Sequence, residues 1–201
     1  MKLLRTARRA PARIHLPFPF RKATKGGGGR DGMIAPTLQT ERLILRMPEL
    51  ADFEHWAAFY TSPRAVYENG PMSRIDAWNM WAANVALWTL KGYGSFGVDD
   101  RASGAYLGEV GIYEPEGYPE PELGWFVVPD AEGKGHAAEA ARAVMHWARR
   151  TFGWNRLINI IDPANDRSIA LGLRLGGVID PGLAGTGPGD VVIRHDLRGL
   201  A

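Results

Sequence analysis

The chain has 201 residues, 45% of them hydrophobic, and no cysteine; it can bury one sizeable core unaided, and a thiol nucleophile, disulfides and zinc-thiolate sites are excluded. Its net charge of +2 conceals an asymmetry, because residues 1–32 hold nine Lys or Arg against Asp31 alone, whereas residues 33–201 hold the other 15 bases and 21 of the 22 acids. An acidic body argues against a nucleic-acid-binding core and suits a cationic partner such as an amine.

In chain order, residues 1–32 read as a disordered basic leader, with scattered arginines, Pro17, Pro19 and a run of four glycines, and Met33 opens the folded domain of residues 33–201. Neither a signal peptide nor a membrane span is expected, and the location expected is cytoplasmic. The run TERLILR predicts a first strand at Leu43, Ile44 and Leu45. Helices follow at about Pro48–Tyr60, where proline suits a helical N-terminus, and at about Ser73–Leu90. Strands are predicted at YGSFGV and YLGEVGIY, joined by a hairpin turn over Arg101–Gly104, and at ELGWFVV. The next helix carries small and apolar residues at Ala137, Ala141, Val144, Ala148 and Phe152, the spacing of a face buried on a sheet, and Gly153 stops it. RLINII is the next strand, Asp166–Leu175 the last helix and DVVIRHDL the closing strand. The alternation implies an α/β fold. Five histidines lie too far apart to suggest a metal site, and none is expected.

The most informative stretch is ELGWFVVPDAEGKGHAAEA, residues 122–140, where a strand runs through a polar loop into small residues that open a helix. Gly133, Gly135 and Ala137 leave the backbone uncovered, so the N–H groups of Lys134, Gly135, His136 and Ala137 can converge on one anion at the positive end of the helix dipole. A phosphate or pyrophosphate is the expected ligand. Lys134 is followed by glycine rather than Ser or Thr, so a Walker A loop is unsupported. Gly133, Gly135 and Ala138 do read G-x-G-x-x-A, with Asp162 beyond, which keeps a dinucleotide-dependent oxidoreductase as a rival; against it, too little chain follows Asp162 to complete a doubly wound sheet.

Four segments together carry a resemblance: TERLILR, ELGWFVVP, the EGKGHA loop and NDRSIALGLRLGG. From Thr40 to about Leu197 the chain resembles acyl-CoA N-acyltransferases of the GNAT superfamily, in the RimJ/RimL-like branch. Two residues depart from the family pattern: Glu132 stands where Gln or Arg is usual, and Gly177 where an aromatic is usual. The resemblance implies a mostly antiparallel mixed sheet of six to seven strands with a splayed central pair and about four helices. It implies an N-acetyltransferase that uses acetyl-CoA as acyl donor, with no metal, and transfers the acetyl group directly to a primary amine of a small molecule or a protein N-terminus. The protein is expected to act as a monomer or homodimer. A non-catalytic acyl-CoA-binding protein is the alternative, because a carboxylate at Glu132 beside a diphosphate is unfavourable.

The resemblance also assigns roles. The glycine loop holds the diphosphate, main-chain groups of Phe126 and Val128 hold the pantetheine arm and polarise the thioester, Asn165 contacts the arm, and Ser168 lies near the sulfur as proton donor. Asn165 and Ser168 also have the spacing of an ordinary helix cap. The base is expected to be Glu122, at the start of the splayed strand, with Glu109 or water behind it, while Glu139 reads as structural. The acceptor pocket should be built from the first two helices, with Tyr67, Tyr93 and Trp125 completing its wall, and Trp78, Trp81 and Trp88 as one core-facing stripe.

Overall fold

The computed structural model describes residues 35–200, and the leader expected over residues 1–32 lies outside them. The strands are β1 (Leu38–Gln39), β2 (Leu43–Arg46), β3 (Ser95–Asp100), β4 (Tyr106–Tyr113), β5 (Glu122–Val127), β6 (Arg156–Ile161), β7 (Val178–Ile179) and β8 (Val191–Asp196). The helices are α1 (Asp52–Tyr60), α2 (Arg74–Lys91), α3 (His136–Phe152) and α4 (Asp166–Arg174). One sheet of eight strands has the order β1-β2-β3-β4-β5-β6-β8-β7. Every neighbouring pair is antiparallel except β5 and β6, which are parallel and share the single register pair Glu122 with Ile158. The count exceeds the expected six to seven because β1 and β7 are two-residue edge strands.

Cross-strand register decides which side chain faces which layer. Leu43, Leu45, Phe96, Val98, Val110, Ile112 and Leu123 form one core with Ala140, Ala141, Val144, Met145 and Ala148 of α3. Small side chains on that helix let its axis approach the sheet closely. Phe126 belongs instead to a second core with Phe53, Trp56, Ala57 and Tyr60 of α1 and Trp81 of α2. Fully burying each such large side chain contributes roughly 1.5–3 kcal/mol. The tryptophan stripe is incomplete: Trp81 and Trp88 are buried, but Trp78 is 41% exposed.

Helix boundaries follow capping chemistry. Ser73 accepts from the Asp76 N–H to start α2, and Gly92 ends it in a left-handed conformation with φ 78°. Helix α1 begins later than Pro48, at Asp52, whose carboxylate is taken by the Glu49 N–H at 2.8 Å and by the Arg46 guanidinium. A short 3₁₀ turn over Pro63–Ala65 leads from α1 toward α2. Among the described residues no helix is long and apolar enough to cross a membrane.

Candidate active site

The site begins where the sheet comes apart. A regular parallel ladder would give the Leu123 carbonyl to the Ile160 N–H, but β5 and β6 diverge after one pair. Two side chains take the groups left over: the Glu122 carboxylate accepts the Ile160 N–H at 2.9 Å, and the Asn159 amide donates to the Leu123 carbonyl. Asn159 is fixed from behind by His195, whose Nε2 lies 2.6 Å from Asn159 Oδ1 in a fully buried contact. Burial pushes the His195 imidazole down to about 4, so it is neutral at physiological pH, and with Asn159 Oδ1 as acceptor its Nε2 carries the hydrogen. The splay is therefore held open by side-chain hydrogen bonds.

Strand parity then settles which main-chain groups are free. Val128 donates its N–H to the Leu107 carbonyl at 2.9 Å, and the register pairs Glu109 with Phe126, so the even-numbered residues of this stretch turn their amides toward β4. The odd-numbered residues Trp125 and Val127 turn theirs into the opening. The free main-chain groups expected at Phe126 and Val128 thus lie one residue away, on Trp125 and Val127. The Phe126 side chain still walls the opening, whereas Val128 lies outside it.

Beyond the splay lies a groove of about 860 Å³, walled at one end by Gly133, Gly135, His136, Ala137 and Ala138. Gly133 and Gly135 have φ of 72° and 80°, the left-handed region that glycine adopts freely. The first hydrogen bond of α3 runs from the Glu139 N–H to the Gly135 carbonyl, leaving the N–H groups of His136, Ala137 and Ala138 without main-chain partners at the positive end of the helix. Lys134 departs from the expectation: it is absent from the groove wall, and its carbonyl accepts from Arg42 at 3.0 Å. Arg42 and Thr40 also bind the Glu139 carboxylate, at 2.6 and 2.5 Å. The turn before β2 thus braces the loop, and Glu139 is structural as expected.

Glu132 is not a lone carboxylate. It is bonded to Arg64, from the 3₁₀ turn, and to Arg167 of α4, the latter at 2.7 Å, and all three line the groove. Partial burial alone would raise the carboxyl, but the hydrogen bonds and charges of Arg167 and Arg64 hold it below the ordinary range. The trio carries a net charge of +1, so the repulsion expected at Glu132 is answered locally. Arg64 also donates to the Val127 carbonyl at 3.1 Å, tying the 3₁₀ turn to the splayed strand.

A second cavity of about 190 Å³ opens from the groove, and Glu68, Trp125, Phe126 and Ser168 line both. Its other walls include Trp56, Tyr60, Met80, Asn84, Tyr113, Tyr118 and Glu122, and among the described residues no Lys, Arg or His lines it. Desolvation, reinforced by the charges of Glu68 and Asp190, pushes the Glu122 carboxyl up to about 8 despite the Ile160 N–H. Burial raises Glu68 to about 7, with Asp162 adding to the effect, although its side chain stays open to the cleft. The groove thus carries both arginines and carboxylates, whereas the pocket carries carboxyls without a cation among the described residues.

The acetyltransferase (GNAT) domain model matches residues 42–178. The chain belongs to the GNAT acetyltransferase family. An acetyltransferase from Agrobacterium tumefaciens is 36% identical, with a TM-score of 0.78 over 84% of this chain and 99% of that one. A GNAT-family acetyltransferase from Bordetella pertussis is 27% identical, with a TM-score of 0.67 over 80% of this chain and 99% of the other. The N-acetyltransferase YnaD of Bacillus subtilis is 25% identical over 143 residues, 69% of this chain and 81% of its own.

Membership makes the chain an acetyl-CoA-dependent N-acyltransferase. The groove suits the acyl donor: its free helix N-terminal amides and Cβ-free glycines fit a diphosphate, and Trp125 and Val127 offer main-chain groups where an extended arm would run. Asn165 is the N-cap of α4, accepting the Ser168 N–H at 3.2 Å, and both line the groove. Tyr67 lines the groove rather than the acceptor pocket, and Tyr93 lies elsewhere, packed on Trp154 with its hydroxyl on Glu114. Among the described residues no group of three His, Asp or Glu side chains could hold a metal. Sequence reasoning missed Arg64, Arg167, Asn159 and His195, because their roles come from partners far away in the chain.

Proposed function

We propose that the protein transfers the acetyl group of acetyl-CoA directly to a primary amine of a small molecule or a protein N-terminus, with Glu122 as base. The observation that carries this reading is the meeting of two different linings at one opening: an amide-rich groove that holds Arg64 and Arg167 meets, at Ser168 and Trp125, a pocket whose ionisable carboxyls, among the described residues, are Glu68 and Glu122 and which no cation lines. An ammonium group is drawn to such a pocket, and a carboxyl raised to about 8 is matched to removing its proton near neutral pH.

The donor supplies an acetyl thioester, and the chain's residues do the rest. The amides of His136, Ala137 and Ala138 hold the diphosphate, helped by Arg64 and Arg167. The Trp125 or Val127 N–H faces the thioester oxygen and stabilises its developing charge. Glu122 takes one proton from the acceptor ammonium; the freed nitrogen forms a C–N bond to the acetyl carbon as the C–S bond breaks, and the surplus proton then left on nitrogen passes through Ser168 or water to the departing thiolate, giving a neutral amide and a free thiol. Asn165 holds the entrance of α4 so that Ser168 stays at the junction of groove and pocket.

The test is free-thiol release from acetyl-CoA with putrescine, kanamycin, glycinamide and a peptide bearing a free N-terminus. Release with one or more of these is the predicted outcome. No release above the amine-free rate with any of them overturns the transferase reading.

A further inference from the structure

Glu109 is a buried acid that the steps above do not use. It lies on β4 with 0% exposure, and its Oε1 accepts the Tyr113 hydroxyl at 2.9 Å. Its Oε2, the Ser95 hydroxyl and the Trp81 indole N–H are buried close to one another, and none of the three reaches ordinary hydrogen-bond geometry. Burial pushes Glu109 up to about 7, opposed by the neighbouring Tyr113, Ser95 and Trp81 side chains. An acid this deep is costly unless a neighbour hydrogen-bonds it.

That neighbour is Tyr113. Register places Tyr113 directly across from Glu122, Gly111 across from Gly124, and Glu109 across from Phe126, all on one face of the sheet. Gly124 leaves room for the Tyr113 ring against the strand: a Cβ there would come within 2.7 Å of its Cε2 and 3.8 Å of its Cζ. Tyr113 and Gly124 both wall the pocket that holds Glu122. The phenol oxygen therefore sits beyond Gly124, on the side of Phe126, where it meets Glu109.

We propose that Tyr113 receives the acceptor nitrogen and that Glu109 is the positioning residue that sets its polarity. A phenol can donate or accept. Donation to the acceptor nitrogen would occupy the lone pair that must attack the thioester. With its hydrogen committed to Glu109 Oε1, Tyr113 presents only lone pairs to the pocket, so it binds an N–H of the amine and leaves the attacking electrons free. Glu122 removes one proton, Tyr113 accepts a hydrogen bond from another, and the pair selects a nitrogen bearing at least two hydrogens once deprotonated or in the course of attack.

This rests on the transferase reading, and the test separates the two. Thiol release with the amine panel is measured for the wild type, Tyr113→Phe, Glu109→Gln and the double variant, together with CoA binding by calorimetry. Tyr113→Phe keeps the ring against Gly124 and should lower kcat/KM for the amine on the order of tenfold with CoA affinity unchanged. Glu109→Gln, whose amide can also donate to the phenol and turn its hydrogen into the pocket, should lower kcat more than it raises KM. In the Tyr113→Phe background it should do nothing further. A purely structural Glu109 would instead add its own loss there, and that additivity overturns the proposal. If Glu109→Gln does not fold, full activity of Tyr113→Phe alone overturns it equally. A wild type that releases no thiol with any amine removes the transferase reading and this inference with it.

Discussion

Glu122→Gln separates the chemical role of the carboxylate from its structural one. Gln keeps the oxygen that accepts the Ile160 N–H at 2.9 Å but cannot take a proton, so kcat/KM should fall by about 10²- to 10⁴-fold, and the rise of wild-type kcat/KM toward pH 8 should vanish. Stability should move the other way. At pH below the ordinary carboxyl range Glu122 is protonated in folded and unfolded chains alike; as pH rises the unfolded chain ionises first, so stability declines until the folded carboxyl ionises near 8. At about 1.4 kcal/mol per pH unit the penalty is about 5 kcal/mol at most, and water in the open pocket reduces it to a few. The variant should therefore melt several degrees above the wild type at pH 8.5 and close to it at pH 4.5, read by calorimetry across that range. A variant less stable than the wild type at every pH would mean that the charged carboxylate holds the splay together, and the argument from desolvation would be refuted.

Four further variants probe the groove. Gly135→Asp forces a side chain into a backbone conformation with φ 80° and a negative charge into the anion cradle, so CoA binding should weaken at least about 100-fold; unchanged affinity by calorimetry would remove the loop from the site. Arg64→Ala leaves Glu132 with Arg167 alone and frees the Val127 carbonyl, so CoA should bind several-fold more weakly at low salt, with the loss shrinking as salt rises, while Glu132→Gln changes affinity by less than about threefold. A tenfold gain in the Gln variant would show that the carboxylate is an unanswered penalty. Ser168→Ala should lower kcat several-fold with CoA affinity kept, and a larger loss in affinity than in kcat would make Ser168 a binding group.

Apolar runs such as LILR, YLGEVGIY and RLINII were legible as strands because their side chains fill a core from one or both faces, and Gly153 marked the end of α3 because a left-handed cap needs glycine. Edge strands β1 and β7 carry half-exposed or exposed residues and pair over two positions, so no periodicity announces them. The glycine loop was legible for a similar local reason: uncovered amides and a helix start are written in adjacent residues. Main-chain parity of β5 was not, since it depends on pairing Leu107 with Val128, and an error of one residue exchanges the β4 side for the open side. Glu132 read as unfavourable beside a diphosphate because its partners Arg64 and Arg167 reach it from 68 and 35 residues away. His195, one of five histidines too scattered to suggest a metal site, is the buried support of Asn159.

Direct transfer is most plainly tested by mixing acetyl-CoA labelled in its acetyl group with the protein, first alone and then with the fastest amine of the panel, and following the label by mass spectrometry. With no cysteine in the chain and base, donor groove and acceptor pocket meeting at one opening, the protein alone should acquire no label, and on adding the amine the label should pass into the amide in step with free thiol. Label on the protein before the amine is added, or thiol released without a labelled amide, would contradict direct acetyl transfer at the splay.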